Sequence, residues 1–233
     1  MKNKFRLIRI KKFFKKRIIS ISVLSGLAIL MVNICFLSIL YGAISTMINI
    51  SGEGRVVSES SLTLSLTDYS QIKITPTGYY SLESDNETSY TGLYIITGSS
   101  TSYTPLFIFN DTSSGGYNGA VFNIKLVDAT IKGKTWCTSI LIQGDCSSVV
   151  NIETEGTCQS IGYNHAGIVC DSSNTVLNLN VLSGSLRLAS AYSGMTSLAV
   201  RGFKSFNFNG KAMTLNSNDE YIAATFNADG TIN

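Results

Sequence analysis

The chain has 233 residues, 44% of them hydrophobic and 14% charged, which fits one compact domain beside a membrane segment and excludes an intrinsically disordered chain. The formal net charge of +3 is unevenly spread. Nine bases (Lys2, Lys4, Arg6, Arg9, Lys11, Lys12, Lys15, Lys16 and Arg17) precede residue 18, all fifteen acids follow residue 50, and the remainder carries nine bases against fifteen acids, a net −6. That split excludes a basic nucleic-acid-binding domain, so no nucleic-acid partner is expected.

The first element is an anchor. Residues 18–52 contain no charge, and 18–41 are apolar apart from a few small polar side chains. A helix of about 20 such residues crosses the hydrocarbon core, and the run is longer than the roughly 7–15-residue core of a signal peptide. Residues 1–17 therefore read as a basic cytoplasmic tail and 18–47 as a transmembrane signal anchor, oriented N-in and C-out by the basic block. The outer domain is then held at the cell membrane on its extracytoplasmic side. The alternative is a cleaved leader and a secreted domain.

Beyond the anchor the texture changes to Ser, Thr, Gly and Asn with short β-branched and aromatic runs, period two and no helical period. Residues 48–104 read as a linker and an irregular β cap or first coil, with strands at Ser61–Leu66, Gln71–Ile74 and Leu93–Ile96. From residue 105 a repeat takes over. Val121-Phe122-Asn123-Ile124, Val149-Val150-Asn151-Ile152, Val176-Leu177-Asn178-Leu179 and Ser205-Phe206-Asn207-Phe208 share one pattern, and Asn123, Asn151, Asn178 and Asn207 follow one another at 28, 27 and 29 residues. A fixed period of short strands without helix predicts an all-β fold, a parallel β-helix (solenoid) of four to five coils over residues 105–233, with a β-sandwich as the fallback. Alternation then places Phe122, Ile124, Leu126, Val150, Ile152, Leu177, Leu179, Val181, Phe206 and Phe208 inside. The four asparagines stack outside as an amide ladder. No end cap is apparent after Ile222, so either the last strands cap themselves or the chain stops short of further coils.

These coils resemble right-handed parallel β-helix proteins of the pectin-lyase-like class, closest in style to bacterial surface carbohydrate-binding β-helix domains. The strand texts above and the step Ala166-Gly167-Ile168 carry the likeness. The resemblance implies polysaccharide binding, sometimes assisted by calcium, or lyase or hydrolase chemistry on acidic polysaccharides.

The candidate site residues each have a plain structural alternative. Trp136, Tyr163 and Tyr192 fall in equivalent turns of three successive coils, as a sugar-stacking strip or as turns packed on one another. Asp111 and Asp145 follow their strands at one position and Asp171 is one place out of register. On stacked coils they form a Ca²⁺ site, or each caps its own turn. His165, the one histidine, sits in a turn with no nucleophile assigned to it. Arg187, Arg201 and Lys204 lie on later strands or turns and nothing places them beside the aspartates; no catalytic residue is assigned. Four cysteines lie beyond the anchor. Stacking pairs Cys146 with Cys170 and leaves Cys137 with Cys158, against the alternative of free buried thiols. The expectation is a membrane-anchored cell-surface protein that binds polysaccharide or acts in adhesion. A structural surface protein without a ligand is one alternative, and a polysaccharide lyase or glycoside hydrolase is another.

Overall fold

Alternation at period two writes the fold. Along residues 120–127, Ala120, Phe122, Ile124 and Leu126 are buried while Val121, Asn123, Lys125 and Val127 face outward, as an extended chain with successive side chains on opposite faces must do. The computed structural model describes residues 60–81, 84–172, 174–191 and 197–233. The basic tail and the anchor lie outside the described residues. Among the described residues no helix is long and apolar enough to cross a membrane.

The strands are β1 (Ser61–Ser65), β2 (Ile72–Ile74), β3 (Gly78–Ser81), β4 (Ser84–Ser89), β5 (Leu93–Ser102), β6 (Leu106–Phe109), β7 (Ala120–Gly133), β8 (Ile140–Gln143), β9 (Ser148–Glu155), β10 (Thr157–Gly162), β11 (Ile168–Cys170), β12 (Val176–Val181), β13 (Ser185–Ser190), β14 (Leu198–Arg201), β15 (Ser205–Phe208), β16 (Lys211–Met213), β17 (Glu220–Ile222) and β18 (Ala224–Asn227). They form a parallel-strand β-solenoid of about five turns. The first face is an eight-stranded sheet whose middle runs β14-β11-β8-β6-β2 in parallel. A ten-stranded sheet makes the other two faces. The second face stacks β1, the first half of β5, the first half of β7, β9, β12 and β15. The third stacks the second halves of β5 and β7, then β10 and β13. Parallel pairing between strands a full coil apart rules out the β-sandwich, whose sheets are antiparallel.

The bend between the second and third faces is made by left-handed residues at Gly98, Asp128, Gly156 and Gly184, with φ of 80°, 46°, 75° and 68°. At Gly184 the requirement is also steric, because a Cβ there would collide with the carbonyl oxygen of Gly156 on the coil below.

Reversal of direction closes the C-terminal end on every face and the N-terminal end on the first face. At the N-terminal end β3 and β4 pair antiparallel beside β2, which covers one edge of the first face with a polar strand. At the other end Asn209 and Gly210 both take left-handed φ (45° and 74°) and turn β15 back into β16. The chain then lays β17 and β18 antiparallel on β14 and β13, so each face finishes on a reversed strand. The last strands thus cap the stack themselves.

Inside, equivalent positions form columns: Ile72, Leu106, Ile140, Ile168 and Val200 on the first face, and Tyr94, Ile124, Ile152, Leu179 and Phe208 on the second. All ten are at most 3% exposed. Near the reversed strands the side chains grow larger. Phe226 packs edge-on against Phe206 and Phe208, with ring centroids 5.9 and 4.9 Å away, so aromatic volume fills the closing end.

Candidate functional site

The register of the first face sets one outward column: Lys73, Phe107, Leu141, Val169 and Arg201 are successive partners. Its centre is apolar, although it points away from the core. Phe107 stacks on Phe109 with centroids 5.6 Å apart, and the Lys73 ammonium lies 4.2 Å from the Phe109 ring. Val169 is only 8% exposed because it forms the floor of a groove.

That groove has a volume of about 520 Å³. Trp136 and His165 stand on one rim, Leu141 and Val169 make the floor, and Asp171 and Arg201 line the far side. Trp136 is 65% exposed. It is presented by two consecutive left-handed residues, Thr135 (φ 41°) and Trp136 itself (φ 66°). Bulky side chains rarely accept that conformation, and each such residue costs about 1–3 kcal/mol. Arg201 is held by Glu220 at 3.7 Å.

Tyr163 lies at the same corner one coil on, 39% exposed, its backbone N–H donating to the Cys137 carbonyl at 2.8 Å. Tyr192 falls outside the described residues. Tyr103, one coil before Trp136, is 58% exposed, and the Lys134 ammonium sits 5.8 Å from its ring centroid. Sequence reasoning missed Tyr103. It directly follows Ser102, the partner of Gly133, as Tyr163 follows Gly162 on the next coil, and only the register reveals that equivalence.

The aspartates do not assemble. Asp111 caps a 3₁₀ turn, accepting from Ser113 N–H and Oγ at 2.9 and 2.6 Å. Asp145 accepts from the Thr112 backbone N–H and hydroxyl at 2.8 and 2.7 Å. The Thr112 hydroxyl, then its N–H, holds the Asp145 carboxyl below the usual carboxylate range. Asp171 follows Cys170, the partner of Ile142, and so stands level with Gln143, two places from Asp145. Asp111 is taken up by its own turn and Asp145 by Thr112 of the preceding coil, and among the described residues no group of three His, Cys, Asp or Glu side chains gathers to hold a metal ion.

The sulfurs of Cys137, Cys146, Cys158 and Cys170 are unbonded in this structure. Cys158 points inward at the start of β10 while Cys137 lies beyond the opposite end of the third face. A disulfide needs Cα atoms within about 7 Å. Cys146 lies past the Gly144 corner, where Ser172 stacks beside it and donates to its carbonyl at 2.8 Å. Cys170 is in register with Ile142 instead. Burial raises the Cys158 and Cys170 thiols above their ordinary range, so both are weak nucleophiles.

On the outer surface of the second face Asn151 Nδ2 donates to Asn123 Oδ1 at 2.9 Å, Asn178 Nδ2 to Asn151 Oδ1 at 2.8 Å, and Asn207 Nδ2 to Asn178 Oδ1 at 2.8 Å. Every link has one donor and one acceptor, so the chain of amides runs in a single direction. Arg187 points outward on the third face, away from the groove.

Comparison with protein-family models, with curated proteins and with solved structures finds no match to this chain.

Proposed function

We propose that this chain is a cell-surface protein whose β-solenoid binds polysaccharide, carried on an uncleaved N-terminal anchor with the domain outside the membrane. The observation that carries the reading is the groove on the first face, with an exposed tryptophan on its rim and an apolar floor. Sugar rings present apolar faces to aromatic side chains and hydroxyls to polar ones, and the groove offers both. The resemblance of the coils to pectin-lyase-like, carbohydrate-binding β-helix domains agrees with it. The charge split supports the topology, with nine bases before residue 18 and none of the acids before residue 51. Binding is favoured over turnover because hydrolysis of a glycosidic bond takes two carboxyl groups facing it; among the described residues Asp171 is the one carboxylate lining this groove, and the Asp145 carboxylate in the adjoining hollow is bound by Thr112.

The test is a glycan array probed with the full chain in detergent micelles, with and without calcium, alongside Trp136→Ala. Glycan binding that is indifferent to chelator and weakened about tenfold by Trp136→Ala is expected, since one aromatic stacking contact is worth about 1 kcal/mol beyond its buried area. Silence across the array in both conditions rejects the reading. External protease on intact cells tests the topology; removal of the domain from the cell surface is the expected result.

A further inference from the structure

We infer that the bound glycan is a neutral, hydroxyl-rich chain lying across the stack, along the strand direction of the first face, and passing over Asp171 into a second hollow. The inference rests on the polysaccharide reading above and specifies how that site is used.

The second hollow, about 480 Å³, lies on the corner leading from the first face to the second and is lined by Asn118, Asp145, Ser147, Asn174 and Lys204. Asp171 lines it as well as the aromatic groove. One carboxylate is thus the shared wall of an apolar half and a polar half. Because Asp171 lines both, the two hollows join along the strand direction of the first face. From His165 on the aromatic rim to Ser172 beside the hollow, the chain spans at most roughly 23 Å, with strand only at Ile168–Cys170. Down the axis the aromatic groove is bounded by Thr104 before Leu141 and by Asn218 beyond Arg201, roughly 19 Å over four strand spacings.

The polar half is equipped for hydroxyls. Among the described residues no side chain pairs with the Asp171 carboxylate or the Lys204 ammonium, so an acceptor and a donor stand open on the track. Asn118 spends its Oδ1 on the Ser147 N–H and hydroxyl, at 2.9 and 3.2 Å, which leaves its Nδ2 to donate. The charges select a neutral ligand. Arg201 is paired with Glu220, which leaves Lys204 to offset Asp171. Residues 60–233 carry thirteen acids against eight bases. A polyuronate would bring a negative charge on every sugar into this field.

The probes are maltohexaose, cellohexaose and mannohexaose, the corresponding trisaccharides, and hexagalacturonate, titrated calorimetrically into the full chain in detergent micelles. The variants are Asn174→Ala, Lys204→Ala, Trp136→Ala and Phe107→Ala. All four positions are on the outer surface, and an unchanged circular dichroism spectrum checks the fold. At least one neutral hexasaccharide is expected to bind better than hexagalacturonate. Asn174→Ala and Lys204→Ala should each weaken it by about tenfold and leave its trisaccharide unchanged, whereas Phe107→Ala should have no effect on either. Loss of hexasaccharide affinity in Phe107→Ala with none in Asn174→Ala or Lys204→Ala would show a chain running down the axis and overturn the inference while sparing the binding reading. Preference for hexagalacturonate overturns the neutral class. Failure of every probe, wild type included, overturns the polysaccharide reading itself.

Discussion

Asn151 donates to Asn123 and accepts from Asn178, whereas Asn207 makes one such bond. With about 0.5–1.5 kcal/mol net for each bond, Asn151→Ala should cost about 1–3 kcal/mol and Asn207→Ala about half as much. Urea unfolding of the two variants measures the ratio, and equal losses would mean the ladder does not act as a chain of bonds. Asn151→Asp should be worse than its size suggests, because a carboxylate cannot donate to Asn123. Three carboxyl groups, Glu87, Asp145 and Asp229, are lowered in the fold and give the pH dependence. Burial raises Glu87, but the hydroxyls of Thr75, Thr77 and Tyr80 outweigh it, and the net shift is downward. Asp145 is lowered by Thr112. A carboxyl lowered on folding stabilises the fold above its unfolded pKa, and that contribution is lost as pH falls through its folded pKa. The destabilisation caused by Asp145→Asn should therefore shrink between about pH 7 and about pH 3, as urea midpoints across that range will show.

At the scale of elements, the Asn209-Gly210 turn ends the repeat. Two adjacent left-handed residues joining antiparallel strands favour Asn-Gly. Gly210→Val places a β-branched residue at φ 74°. It should loosen β16, uncover the β15 edge and shift the protein toward larger species in light scattering after chromatography. The dipeptide is visible in the sequence and fits self-capping, but only the pairing of β17 with β14 and β18 with β13 separates that from an unfinished stack. The strands around Asn123, Asn151, Asn178 and Asn207 were readable for a simple reason. Alternation puts apolar residues inside and leaves a fixed outward position for the amide, so the pattern survives in one dimension. The corners do not survive that projection. From Ile142 to Val149 the corner takes seven steps, and from Cys170 to Val176 six, so positions on that corner cannot be matched by counting, and Cys170 stands level with Ile142, four places before Cys146. Tyr103 was hidden for the same reason, since the preceding coil carries no asparagine to mark its phase.

Across the whole molecule, one core runs through every coil while each face presents a different surface. Leu126, fully buried between Ile96 and Thr154 in neighbouring coils, should cost about 2–5 kcal/mol when changed to alanine. The same change at the outward Leu141 should cost far less, because its side chain floors the groove and lies outside the core. The groove itself was only half readable. Trp136 announced an exposed aromatic turn, but Leu141, Val169 and Arg201 come from three different coils and meet only through parallel register. Register is therefore what both fold and site depend on, and cross-linking measures it directly. In the full chain with its own cysteines replaced by alanine, Asn123→Cys with Asn151→Cys should form a disulfide on mild oxidation. Parallel neighbours lie about 4.8 Å apart, inside the range a disulfide spans. Asn123→Cys with Asn178→Cys, two coils apart, should not. Cross-linking of the distant pair in preference to the adjacent one, or of neither, would contradict the stacked solenoid and the groove built on it.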